Sequence, residues 1–151
     1  MLHRTVAKHA ISFFMSSLKV ELRYAPLPYI GAFAWHYWFV VADATGRHRW
    51  EVWQTKNAGG SCIGHVHCDL KAPEDGVGGG PSRLANEWAG EQAVRIARVL
   101  REVRSYPYCE TYRMWPGPNS NTFVAWVLRK AGVEQALDRR GIGKNYLTAK
   151  Q

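Results

Sequence analysis

Hydrophobic and polar positions divide the chain into a β-rich first half and a helical second half. Val20, Leu22 and Tyr24 alternate with polar residues and predict an opening strand before Pro26 and Pro28 break the chain. From Ile30 to Val41 the chain is almost continuously aromatic and β-branched, the pattern of a strand buried on both faces. Asp43-Ala44-Thr45-Gly46 has turn chemistry, and His48 to Thr55 reads as the returning strand of a hairpin. Cys62 to Leu70 predicts a third strand, and the Gly/Pro-rich stretch Pro73 to Pro81 a flexible connector. The sharper reading of that stretch is a cover over a site. Its glycines lack the spacing and the Lys-Ser/Thr ending of a phosphate loop.

Glu91 to Arg104 predicts an amphipathic helix, with Ala93, Val94, Ala97, Leu100 and Val103 inward and Arg95, Arg98 and Arg101 outward. A second helix is expected from Ser120 to Ala131, stopped by Gly132, and Val133 to Arg139 has helical potential. Strands followed by helices predict an α+β fold, an antiparallel sheet packed against helices. With 151 residues and no linker or repeat, one domain over residues 1–151 is expected.

Composition narrows the classes. The chain is 46% hydrophobic, which excludes wholesale disorder, and no apolar run reaches the roughly 20 residues of a membrane span. His3, Arg4 and Lys8 precede an apolar stretch, Ala10 to Met15, too short for the core of a signal peptide. Three cysteines, an odd number, argue against a disulfide framework and suit a reducing, cytoplasmic compartment. The net charge of +8 admits nucleic acid as a partner, but the basic residues are dispersed and no RNA-binding motif is visible. Nucleic-acid binding is therefore the weaker alternative.

The segment with most chemical potential is Tyr112-Arg-Met-Trp115-Pro-Gly-Pro-Asn119-Ser120-Asn121-Thr122-Phe123. It places Ser120 where a helix begins, and free backbone N–H groups there stabilise an anion. Ser and Asn also cap helices at such places without any catalysis. If Ala42 pairs with Arg47 across the turn, His36 faces Trp53, and Glu51 lies one diagonal away on the same sheet face. Glu51 is then placed to orient the His36 imidazole, and Ser120, His36 and Glu51 are the expected catalytic set. Asn119 and Asn121 are expected as cap or oxyanion donors, and Tyr112 and Trp115 as walls of the site. Against these stand ordinary roles: a core histidine, a surface carboxylate paired with Arg47 or Arg49, and a capped helix.

The Tyr-x-x-Trp-Pro-Gly-Pro-Asn-Ser-Asn-Thr-Phe signature resembles that of a bacterial domain-of-unknown-function family. The likeness extends through the Gly-Val-Gly-Gly-Gly-Pro loop, Tyr106-Pro107-Tyr108 and Gly141-Ile142-Gly143-Lys144-Asn145-Tyr146-Leu147. More remotely, Asn119 to Val124 is similar to the Asn-Cys-x-x-Phe-Val helix of circularly permuted papain-like proteins. That clan includes lecithin–retinol acyltransferase-like enzymes and relatives of cell-wall peptidases. The resemblance implies a permuted papain-like architecture with His36 on the strand of the clan's catalytic His, and the clan's third polar residue falls near Glu51. It departs at the nucleophile, where Ser120 replaces Cys, a weaker nucleophile that depends on an adjacent base. A hydrolase or acyltransferase acting on an amide, ester or thioester of a small molecule or peptide is expected. The alternative is a catalytically silent domain that binds a ligand or protein in the same cleft.

Cys62, His65, His67, Cys68 and Asp69 suggest zinc by residue type. Strand alternation puts His65 and His67 on one face and Cys62 and Cys68 on the other, and no second ligand pair follows. No metal and no cofactor are assigned.

Overall fold

The computed structural model describes residues 17–147. The basic and apolar N-terminal stretch considered as a signal lies outside them. Six strands form one sheet: β1 (Lys19–Pro26), β2 (Trp35–Asp43), β3 (Gly46–Val52), β4 (Ser61–Ile63), β5 (Val66–Cys68) and β6 (Arg83–Ala89). Their order is β4-β5-β3-β2-β1-β6, and every pairing is antiparallel. Helices α1 (Gly90–Arg101) and α2 (Ser120–Ala131) contact each other and the sheet, giving an α+β fold. Among the described residues no helix is long and apolar enough to cross a membrane.

The β2–β3 hairpin turns through Ala44-Thr45, with Asp43 opposite Gly46 and Ala42 opposite Arg47. Asp43 accepts hydrogen bonds from the Thr45 N–H and hydroxyl, and Gly46 takes φ 135°, which a side chain would resist. This register divides the side chains. Tyr37, Phe39, Val41, Leu22 and Trp88 join Ile96, Leu100, Phe123 and Val127 in the helix-side core. His36, Trp38, Val40, Arg49 and Glu51 occupy the other face by period-two alternation.

That second face is covered by the glycine-rich loop, which is packed in place. Trp38 Nε1 donates to the Pro73 carbonyl at 2.9 Å, and Val77 packs against Ala25, Trp38 and Val40. A Cβ on Gly79 would stand 2.4 Å from the Pro26 carbonyl oxygen, so only glycine permits this approach. The loop is a fitted cover with a close backbone contact, where a flexible connector was expected.

Other expectations require correction. The long aromatic strand begins at Trp35, because residues 27–34 form a turn in which Tyr29 has φ 63°. The stretch Cys62 to Leu70 is two short strands, since Gly64 (φ 59°) turns the chain against the Cys109 backbone. β6 carries no strong alternation and was not anticipated; its partner β1 supplies the hydrogen bonds. The first helix ends at Arg101 and continues as a 3₁₀ turn, Val103–Ser105, and its buried stripe includes Ile96 and Val99. Residues 133–139 form no helix. Gly132, left-handed at φ 62°, ends α2, and the chain then returns toward the start of that helix.

Candidate functional site

The site forms where β2 and β3 separate. Their last paired residues toward this end are Phe39 and Trp50. Beyond that pair Trp53 donates to the His65 carbonyl at 2.9 Å, so the chain follows β5 and not β2. The freed edge of β2 is taken by one side chain from α2. Asn121 Oδ1 accepts from the Tyr37 N–H at 3.1 Å, and its Nδ2 donates to the Trp35 carbonyl at 2.8 Å. These two groups bracket His36, so the helix start abuts the strand at His36.

Proline and glycine lead the chain into that helix, with both Trp115–Pro116 and Gly117–Pro118 cis. Asn119 is the N-cap: its Oδ1 accepts from the Asn121 and Thr122 N–H groups, while Thr122 Oγ1 accepts from the Asn119 N–H. The amide hydrogens are equally committed. Asn119 Nδ2 donates to the Met114 and Ile142 carbonyls, Asn121 Nδ2 also donates to Ile142, and the Thr122 hydroxyl donates to Gly143. Neither asparagine has a free amide hydrogen for an oxyanion.

Ser120 differs from its neighbours. Among the described residues, neither its hydroxyl nor its N–H has a hydrogen-bond partner. It is 7% exposed and lines a cavity of ≈ 230 Å³ together with His36, Tyr112 and Trp115. A second cavity of ≈ 250 Å³ shares His36, Leu27, Ile30, Tyr112 and Met114 and continues to Val52 and Val77. Among the described residues no Asp, Glu, Lys or Arg lines either cavity. Their mouth is apolar as well: Ile30, Met114 and Trp115 are both lining and exposed.

His36 Nε2 lies 2.7 Å from Glu51 Oε2, and the same oxygen accepts from Arg49 at 2.8 Å. Burial pushes the Glu51 carboxyl up, but hydrogen bonds and charge from His36 and Arg49 outweigh it and hold its pKa below the usual glutamate value. Glu51 is therefore a carboxylate, and the ring nitrogen facing it carries a proton. In the neutral tautomer that this proton defines, the lone pair lies on Nδ1, which has no partner among the described residues. The ring is held edge-on by Trp53, at 5.7 Å between centroids.

Arg49 escaped the sequence reading except as a surface partner for Glu51. It is fully buried, lies 4.0 Å from the Trp38 ring centroid, and donates to the Ala72 and Asp75 carbonyls of the cover loop. Its alternation with Glu51 was visible; the carbonyls that make its burial tolerable come from the loop some 23 to 26 residues on.

The suspected metal cluster is dispersed. His65 Nδ1 donates to the Trp53 carbonyl, and His67 donates to His65 O while accepting from the Ala58 N–H. Burial lowers the His67 pKa, consistent with a neutral structural ring. The turn at Gly64 puts Cys62 opposite His67, on the same face, which reverses the side expected from an unbroken strand. All three cysteines are free thiols, and burial pushes Cys68 up to about 12.

The family described as protein of unknown function (DUF3750) matches residues 17–146. The chain belongs to that family. The matched span includes the whole DUF3750 sheet, both helices and the tail that returns to Asn119 and Asn121. No curated protein and no solved structure matches it.

Proposed function

We propose that this cleft performs acyl transfer from an ester, thioester or amide, as a hydrolase or an acyltransferase, through Ser120, His36 and Glu51. One observation carries the reading: His36 is oriented by a buried carboxylate with its Nδ1 unpartnered, in an uncharged cavity shared with the only unbonded polar side chain of the Asn119–Thr122 run. In the reaction Ser120 Oγ bonds to the carbonyl carbon as His36 Nδ1 takes its proton. Glu51 stabilises the imidazolium, and the Ser120 N–H donates to the oxyanion. His36 then returns the proton to the leaving group. Water or another nucleophile, deprotonated by His36, releases the acyl group and regenerates Ser120. The Oγ–Nδ1 hydrogen bond is formed with substrate bound, as catalytic contacts commonly tighten in that complex.

The permuted papain-like relationship belongs to the same proposal, supported by a helix-borne nucleophile against a histidine strand. The apolar lining favours an uncharged, hydrophobic acyl group as substrate.

A serine-directed fluorophosphonate tests the reading. We expect stoichiometric labelling at Ser120, absent in Ser120→Ala and slowed by about 10³-fold or more in His36→Gln. Labelling that survives Ser120→Ala, or a folded wild-type protein inert to the probe and to a panel of activated esters, would overturn it. The second result would favour a ligand-binding domain without catalysis.

A further inference from the structure

Three metal-ligating groups meet on the opposite side of the sheet from His36. His48 Nδ1 or Nε2, the Cys68 sulfur and an Asp69 oxygen lie within 4.8 Å of one another. Register explains the grouping. Cys68 stands opposite Trp50, and His48, two residues from Trp50, shares its face. Asp69 would point away in a regular strand, but its backbone is left-handed at φ 59°, which breaks the alternation. Its N–H donates to the Arg49 carbonyl and its Oδ1 accepts from the Arg49 N–H, both at 2.8 Å. Oδ2 is thereby aimed at His48 Nδ1, 2.7 Å away.

The ring is fixed from its other side: the Thr45 hydroxyl, bound to Asp43 at 2.6 Å, lies 3.0 Å from His48 Nε2 and leaves Nδ1 turned toward Asp69. Cys68 beside them offers a third ligand of the kind zinc prefers.

We propose that His48 Nδ1, Cys68 Sγ and Asp69 Oδ2 bind a zinc ion, with water in the remaining position. A nitrogen, sulfur and oxygen set suits Zn²⁺ and disfavours Mg²⁺ or Ca²⁺. Partial exposure of His48 and Asp69, 35% and 45%, leaves room for the water. The Asp43–Thr45 relay orients the imidazole in the manner of an outer-shell partner. Such an ion ties β3 to the end of β5, and the site is independent of the chemistry proposed for Ser120.

Cobalt(II) titration of the chelator-treated full chain reads the site directly. One equivalent is expected to produce a sulfur-to-cobalt charge-transfer band, bleached by Zn²⁺, absent in Cys68→Ser and retained in Cys62→Ser. His48→Gln, at a half-buried position, is expected to weaken zinc binding by about 10-fold or more. No band with cobalt in excess, a band that persists in folded Cys68→Ser, or unchanged zinc affinity in His48→Gln would each overturn the proposal. The last comparison decides the matter if Cys68→Ser fails to fold.

Discussion

Glu51 is fully buried and shares one oxygen between His36 and Arg49, while its Oε1 has no hydrogen-bond partner among the described residues. Because its folded pKa lies below the ordinary value near 4.5, its ionisation contributes stability that is present above that value. The contribution is lost as pH falls through the folded pKa. Glu51→Gln is expected to flatten this acid limb of a stability–pH curve. It is also expected to cost about 3 kcal/mol or more at neutral pH, because Arg49 becomes a buried charge without a counter-ion. Urea unfolding at several pH values measures both effects. Adding Arg49→Met should recover part of the neutral-pH loss, since an apolar side chain needs no partner.

The start of α2 shows how one element is specified by several others. Asn119, Asn121 and Thr122 reach carbonyls in β2, the approach segment and the tail, and the tail must pass close to do so. A Cβ on Gly143 would lie 2.4 Å from the Asn119 amide nitrogen, and its φ of 91° favours glycine independently. Gly143→Ala is therefore expected to destabilise by at least as much as Asn119→Ala, for which loss of the cap implies about 1 kcal/mol. Asn121→Ala strands the Tyr37 N–H and should cost about 2 kcal/mol. Thermal unfolding of the three variants gives the ranking. The polar run was recognisable as a helix start from its residue types. Which members would be consumed was not, since all but one of the carbonyls they reach lie 21 to 86 residues away.

At the scale of the whole molecule, the net charge of +8 is an excess of cations, some of which are paired at the surface. Lys19 meets Glu87, Arg23 meets Glu21, Lys56 meets Glu110, Arg140 meets Asp138, and Arg47 bridges Glu21 and Glu74. These pairs add little stability individually, and each offsets a cation only locally. Binding to random DNA at physiological salt is expected to be weaker than micromolar, with fluorescence polarisation across a salt series as the check. Exposed Tyr29 and Phe33, beside Ile30 in one turn, extend the apolar character of the cleft outward. The molecule thus separates a charged exterior from a cleft lined by no Asp, Glu, Lys or Arg among the described residues.

Periodicity and turn chemistry within the hairpin determined that His36 and Glu51 would share a face, because side-chain alternation and an Asp-Ala-Thr-Gly turn act over a few residues. Residue types alone likewise marked the start and stop of α2. Only the tertiary structure decided that β3 leaves β2 and that Asn121 fills the gap. It alone buried Arg49 under the cover loop and left Ser120 unbonded. It also divided the Cys62–Leu70 stretch at Gly64, which set Cys62 opposite His67, and it brought Cys68 and Asp69 beside His48. The physical reason is common to these cases. Local pattern specifies conformation and facing, whereas the allocation of hydrogen-bond partners depends on which distant backbone groups arrive beside each side chain.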